Sequence, residues 1–200
     1  MRRILLLLVV LFVASISAHA QNEPKVEVWG TYSLFVADID VLDNETLHGY
    51  GLGIQGNLSR NFGIAGEFTS NHGASGPVSI FLPGTIVFIQ ELDTRVNTFL
   101  VGPRFSYRAR GVTAFGHFLA GVANSKLRDE KGTSGFEDDN TEFAMAIGGG
   151  VDVNLGTHFA IRAAQFDYLP IHTDVNVRFA GGTSSWLHNV RYQAGVVFKY

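Results

Sequence analysis

Glu142-Phe143-Ala144-Met145-Ala146-Ile147-Gly148-Gly149-Gly150-Val151-Asp152-Val153-Asn154-Leu155 changes character at every residue. Phe143, Met145, Ile147, Gly149, Val151, Val153 and Leu155 form one set, mostly large and apolar. Glu142, Ala144, Ala146, Gly148, Gly150, Asp152 and Asn154 form the other, small or charged. A period of two is that of a strand with two different faces. A helix would place Glu142, Met145, Ala146 and Gly149 together, with no coherent stripe, and three successive glycines disfavour helix on their own.

The same period runs through the chain on either side. From Leu187 to Tyr200, His188, Val190, Tyr192, Ala194, Val196, Phe198 and Tyr200 oppose Asn189, Arg191, Gln193, Gly195, Val197 and Lys199. Further strands are predicted at about Val26 to Phe35, His48 to Leu58, Phe62 to Ser70, Asp93 to Tyr107, Val112 to Ala123 and Phe159 to Leu169, the last blurring into a bulge at Gln165 to Tyr168. The links at Leu58 to Asn61, Arg108 to Gly111 and Gly156 to His158 are short. Those at Val36 to Leu47, Asn71 to Leu92, Asn124 to Thr141 and Pro170 to Trp186 are long. Strict alternation puts all tight turns at one end and all long loops at the other, the layout of a barrel with periplasmic turns and external loops. The expected fold is all-β, a closed eight-stranded antiparallel transmembrane β-barrel.

The orientation of the faces separates this reading from a soluble sandwich. The face opposite the large apolar residues carries Glu67, Arg104, Glu142, Asp152, Arg162 and Arg191 among glycine and alanine. Such a face makes a poor core between two sheets, whereas outward Phe, Val, Ile and Leu suit lipid, where closure must satisfy every strand hydrogen bond. Glu67 and Glu142 are expected to meet Arg104 and Arg162 inside as a salt-bridge network, since unpaired charge in a confined interior is costly. An eight-stranded interior is just wide enough for side chains to fill. Trp29, Tyr50, Phe62, Tyr107, Phe159, Trp186 and Tyr200 are candidates for aromatic girdles at the membrane interfaces.

The first twenty residues read as a segment to be removed. Met1-Arg2-Arg3, an apolar core from Ile4 to about Ala14 and the exit Ala18-His19-Ala20 are the parts of a secretory signal peptide. The apolar run is shorter than the roughly 20 residues of a membrane-spanning helix. Residues 1–20 are thus expected to be the signal peptide and 21–200 the barrel domain. That domain keeps 13 of the 15 basic residues and all 18 acidic ones, a formal charge of -5. The balance offers no basic stripe for nucleic acid. Absence of cysteine rules out disulfides and thiol chemistry.

Four segments carry a family resemblance: Val26-Glu27-Val28-Trp29-Gly30, Gly102-Pro103-Arg104-Phe105-Ser106-Tyr107-Arg108, Ala160-Ile161-Arg162 with Asp167-Tyr168-Leu169, and Gln193-Ala194-Gly195-Val196-Val197-Phe198-Lys199-Tyr200. In these the chain resembles the small outer-membrane β-barrel domain family, that of the OmpA barrel and OmpX-like, porin-family-like proteins. The resemblance implies the bacterial outer membrane as location, and the barrel assembly machinery as a partner during insertion. It also implies that Gln193, Gly195, Phe198 and Tyr200 act as the insertion signal. Outer-membrane lipids and lipopolysaccharide are the expected surroundings, and the protein is expected to be a monomer.

Chemistry is sparse. Lipid A-modifying barrel enzymes use a His and Ser pair, and the only candidates here are His117 near Thr113 and His188 near Ser184 and Ser185, neither in a suggestive spacing. Asp129, Glu130, Glu137, Asp138 and Asp139 form an acidic cluster that could attract Ca²⁺, yet without EF-hand spacing. No enzyme activity, cofactor or metal is expected. The expected function is a structural or adhesive scaffold with a filled interior, whose loops 71–92, 124–141 and 170–186 meet an extracellular ligand. The alternative is a narrow porin-like channel for small solutes. A soluble ligand-carrying barrel would need its large apolar residues turned inward.

Overall fold

The two ends of the chain close the sheet. In the computed structural model the first strand, β1 (Val26–Ala37), pairs antiparallel with the last, β10 (Thr183–Lys199), from Glu27 opposite Lys199 to Val36 opposite Val190. Val26 and Tyr200 exchange backbone hydrogen bonds of 2.9 and 2.8 Å at the seam. The structure describes residues 24–37, 45–75, 78–82, 85–89, 92–129, 137–175 and 183–200. The expected signal peptide lies outside them.

Between the ends run β2 (Glu45–Asn57), β3 (Phe62–Ser75), β4 (Val78–Leu82), β5 (Thr85–Ile89), β6 (Leu92–Ala109), β7 (Val112–Asp129), β8 (Glu137–Asn154) and β9 (Phe159–Val175). Eight of the ten form a closed barrel in the order β1-β10-β9-β8-β7-β6-β3-β2, so each barrel strand pairs with its neighbours along the chain. The other two, β4 and β5, make a separate hairpin in the second long connection, from the apolar run Val78 to Ile89. Several strands outrun their predicted ends. β7 and β8 pair out to Arg128 and Glu137, and β7 pairs out to Asp129 with β6, so much of the expected loop 124–141 is a continuation of the sheet. Its polar sequence concealed this, because strands beyond the lipid have no apolar face to reveal them.

At the opposite end the turns are tight. Leu58 and Ser59 donate to Phe62 O at 2.9 and 3.0 Å, and Leu155 donates to Phe159 O at 3.0 Å. Gly111 takes a φ of 81° between β6 and β7, a left-handed geometry for which glycine carries no steric penalty.

The outward face is apolar along the strands: Leu52, Ile54, Phe68, Phe99, Val101, Phe105, Ile147, Phe166 and Phe198 are all exposed. Of the girdle candidates, Tyr50, Tyr107, Trp186 and Tyr200 are exposed, and Phe62 and Phe159 half-buried. Trp29 is corrected: it is 2% exposed and points into the lumen. The alternation of β1 puts it on the inner face with Glu27, Thr31 and Ser33, and its size alone had suggested an interface role.

The predicted bulge exists, displaced toward the N-terminus. On β10, Gln193 pairs with Gln165 and Gly195 with Arg162; on β8, Val151 pairs with Ala164 and Asp152 with Arg162. The extra residue therefore lies between Arg162 and Gln165. Both are fully buried although three positions apart, and beyond them Asp167 and Leu169 point inward.

Inner glycines make room for inner bulk. A Cβ on Gly53 would collide with the Trp29 indole, whereas one on the outward Gly56 would meet nothing within 4 Å. Gly53→Leu is expected to destabilise the refolded barrel by about 1–3 kcal/mol through overpacking. Gly56→Ala is expected to change stability by less than about 0.5 kcal/mol. Urea titration of both variants in detergent, followed by heat-modifiable gel migration, checks the difference.

Candidate functional site

The chemistry of the described residues is concentrated in the lumen, where period-two strands aim their polar residues. The layer nearest the tight turns is built from aromatic rings and guanidinium groups. Arg104 from β6 and Arg162 from β9 lie between the rings of Trp29 and Phe115. The Arg104 Cζ is 4.9 Å from the Trp29 centroid and 3.6 Å from that of Phe115, and the Arg162 Cζ is 4.7 and 4.6 Å from the same two. Such stacking attracts a desolvated cation to the ring face. Asp152 of β8 holds both arginines: Arg162 Nε donates to Oδ1 at 2.9 Å, and Arg104 Nη2 to Oδ2 at 3.4 Å.

A second layer lies toward the long loops. Arg191 of β10 pairs with Glu67 of β3 and, at 2.7 Å, with Asp167 of β9. Its Nη1 also donates to Thr69 Oγ1 at 3.1 Å. His117 Nε2 lies 2.9 Å from Asp167 Oδ1, at ion-pair distance without the alignment of a hydrogen bond. Gln193 donates to Glu67 Oε1 at 3.1 Å.

Gln165 joins the layers. Its Oε1 accepts from Arg162 at 2.8 Å, and its Nε2 donates to Asp167 Oδ2 at 2.9 Å and Glu67 Oε2 at 3.3 Å. The lower layer has two cations on one carboxylate, and the upper has one arginine on two carboxylates with His117 beside them. Each excess faces the opposite one across a neutral amide, so the pair of layers comes close to neutrality.

Both ends of this lattice have a further boundary. Toward the loops, Phe35, Leu47, Val96, Leu119, Leu169 and Ile171 belong to the buried apolar cluster. Toward the turns, Arg108 pairs with Glu27 at 2.5 Å and Lys199 donates to Asn154 Oδ1 at 2.6 Å. Below them opens a shallow cavity of about 340 Å³, whose lining includes Arg60, Arg108, Arg110 and Lys199.

Of the four residues expected to form the interior network, Glu67, Arg104 and Arg162 are buried in the lumen. The structure does not join them as acid to base directly: Arg104 and Arg162 share Asp152, and Glu67 takes Arg191. Glu142 sits half-buried on β8 opposite Ala123, ten residues loopward of Asp152. At roughly 3.3 Å per residue it is far from both arginines. Sequence reasoning missed Asp167 because the bulge reverses the face of everything beyond Ala163. It also left Asp152 and Arg191 unpaired, although alternation had already put both on the inner face.

Other candidates have simpler placements. Thr113 and His117 both face inward, about 13 Å apart along β7, and His117 is directed at Asp167 instead. His188 faces outward, hydrogen-bonded to the Tyr168 hydroxyl. The side chains of Ser184 and Ser185, and of the acidic cluster from Asp129 to Asp139, lie outside the described residues. Among the described residues no three His, Asp or Glu side chains are grouped to hold a metal ion. Gln193 of the expected insertion signal is buried, Gly195 lies against the Gly30–Thr31 backbone, and Phe198 and Tyr200 are exposed on the outer face.

Removing Asp152 would strand two buried guanidinium groups. Asp152→Ala is therefore expected to destabilise the barrel by about 3–5 kcal/mol, whereas Glu142→Gln, at a half-exposed position, is expected to cost at most about 1 kcal/mol. Equilibrium urea unfolding in detergent distinguishes the two.

Solved structures share this architecture. The attachment invasion locus protein Ail of Yersinia pestis aligns at 16% identity over 89% of this chain and 99% of its own, with a TM-score of 0.53. Neisserial surface protein A aligns at 11% identity over 88% and 97%, with a TM-score of 0.65. The outer membrane protein OprG of Pseudomonas aeruginosa aligns at 12% identity over 90% and 97%, with a TM-score of 0.51. At these identities the likeness is one of fold. No curated protein matches the chain in sequence. The family model described as outer membrane protein beta-barrel domain matches residues 5–199. A chain with this lumen, this lipid-facing surface and that match belongs to the outer membrane protein beta-barrel domain family and resides in the outer membrane.

Proposed function

We propose that the protein is a closed, non-enzymatic scaffold that holds adhesive strand extensions above the outer membrane. The observation that carries this reading is the filled lumen. Trp29, Arg104, Arg162, Arg191, Gln165 and Gln193 are each at most 2% exposed, and all are tied to residues on other strands, Trp29 by its ring stacking on the two arginines and the rest by hydrogen bonds. A solute path would have to break ion pairs that support one another. The β4–β5 hairpin and the loopward end of β8, whose pairing with β9 starts only at Phe143, supply backbone edges beyond the lipid, to which an extended partner segment can add as a further strand.

Ail is solved in complex with the heparin analogue sucrose octasulfate. At 16% identity that ligand does not transfer, so the adhesive reading rests on this chain's own extensions. Export by a cleaved signal peptide at residues 1–20 and recognition of Phe198 and Tyr200 during assembly complete the proposal. Both residues remain exposed on the last strand, where an assembly factor could read them.

In planar bilayers the refolded protein is expected to be electrically silent. The triple variant Trp29→Ala, Arg104→Ala, Arg162→Ala, verified as folded by heat-modifiable migration, is expected to show stepwise conductance. Steady conductance of the unmodified protein would replace the scaffold reading with a channel. For the adhesive part, cells displaying the chain are compared with cells whose residues 78–89 are replaced by a short Gly-Ser turn. Cells with the replacement are expected to lose at least half of their retention on surfaces coated with a mixed extracellular-matrix protein extract, and equal retention would refute the adhesive reading.

A further inference from the structure

The outward face stops being apolar along one line. Loopward of Leu52, Phe68, Phe99 and Val122, four adjacent barrel strands place His48 opposite His72, His72 opposite Arg95, and Arg95 opposite Lys126. These are direct cross-strand partners, so the row is unbroken and spans roughly 14 Å at about 4.8 Å per strand. His48, His72 and Arg95 are exposed and Lys126 half-buried. The line is also braced. Tyr32 Oη lies 2.6 Å from His48 Nδ1, the Tyr50 and His72 rings meet edge to face at 6.4 Å, and Arg95 Nε donates to His72 Nδ1 at 3.1 Å. That last bond uses Nε, so it does not engage the Nη pair, the end of a guanidinium that grips a phosphate in bidentate fashion.

Among the described residues the opposite side of the barrel has no such row. There, at the loopward margin, His172 meets Trp186 and Phe143, and His188 meets Pro170, with no Lys or Arg among these partners. Among the described residues the cationic margin is therefore confined to one sector. The surface directly beneath it, Leu52, Ile54, Phe99 and Val101, is among the most exposed apolar area of the molecule.

We infer that the row His48, His72, Arg95 and Lys126 binds the phosphate of a phosphorylated, acylated disaccharide lipid in the outer leaflet, the lipid A class. Two features select a lipid over a soluble anion. The site is continuous with the lipid-facing apolar band, so acyl chains on the same molecule lie along Leu52, Phe68, Phe99 and Val122. It also sits where the surface changes from apolar to polar, the level at which a head-group phosphate meets hydrocarbon. Interfacial placement lowers the local dielectric, which strengthens the pairing of phosphate with Arg95 and Lys126 beyond its value in water.

The test is native mass spectrometry of the full refolded chain in detergent micelles. It is titrated with bisphosphorylated hexa-acyl lipid A, with the same lipid stripped of both phosphates, and with inorganic phosphate. The bisphosphorylated lipid is expected to bind at least tenfold more tightly than the stripped one. The double variant Arg95→Gln, Lys126→Gln is expected to lose at least tenfold for the bisphosphorylated lipid, while His188→Gln on the other sector stays within twofold of the unmodified protein. Heat-modifiable migration verifies each barrel. Equal binding of the two lipids, or unchanged binding by a folded double variant, would overturn the site. Displacement of lipid A by inorganic phosphate at comparable concentration would overturn its assignment to a lipid. The comparison of the two lipids uses the unmodified protein, so it decides the matter even if a variant fails to fold.

Discussion

A strand in hydrocarbon has no water to satisfy its backbone, and from that constraint the rest of this structure follows. Each unpaired N–H or C=O would cost several kcal/mol, so the sheet must have no edge within the lipid. The chain meets this requirement by pairing β1 with β10, its first and last strands. Closure then divides every strand between an outer face that lipid solvates and an inner face it cannot reach. The apolar band and the charged lumen are two consequences of one hydrogen-bonding requirement.

The lumen follows the logic of a buried ionic core. Arg104, Arg162 and Arg191 could not stay charged in a packed interior unless carboxylates, amides and ring faces replaced their water. Asp152, Asp167 and Glu67 supply the charge, Trp29 and Phe115 the flat surfaces, and Gln165 the link. The bulge after Arg162 is a working part of this arrangement. Without it, Gln165 and Asp167 would face lipid, leaving Arg191 with half of its carboxylates and His117 without its acid.

Strand number, closure and the orientation of faces were legible because period two and the spacing of turns are local signals. Glu67, Arg104 and Arg162 were placed on the inner face by alternation alone. Their partners were not, since pairing depends on how far along each strand a residue sits and on the shear of the whole barrel. Glu142 and Asp152 share a face but differ by ten residues of height. Asp167 was hidden because one extra residue inverts the phase, and Trp29 because its size suggested an interface while its parity pointed inward. The strand extensions at β7 and β8 were hidden for another reason: outside lipid, alternation carries no hydropathy signal.

The charge of the chain is unevenly divided between its long connections and its tight turns, and this bears on how it sits among lipids. The four long connections, residues 36–47, 71–92, 124–141 and 170–186, hold eleven acidic residues against four basic ones. Among the described residues the tight-turn end has Lys25, Arg60, Arg108, Arg110 and Lys199 against Glu27. The net negative charge of those connecting sequences repels a phosphorylated leaflet, but only within the screening length of about 8 Å at physiological ionic strength. Arg95 and Lys126 are at the lipid margin itself, in contact range of a head group, where screening is weakest. The near interaction outweighs the distant one there. Acidic connecting sequences can thus coexist with a cationic foothold in the lipid on one side of the barrel.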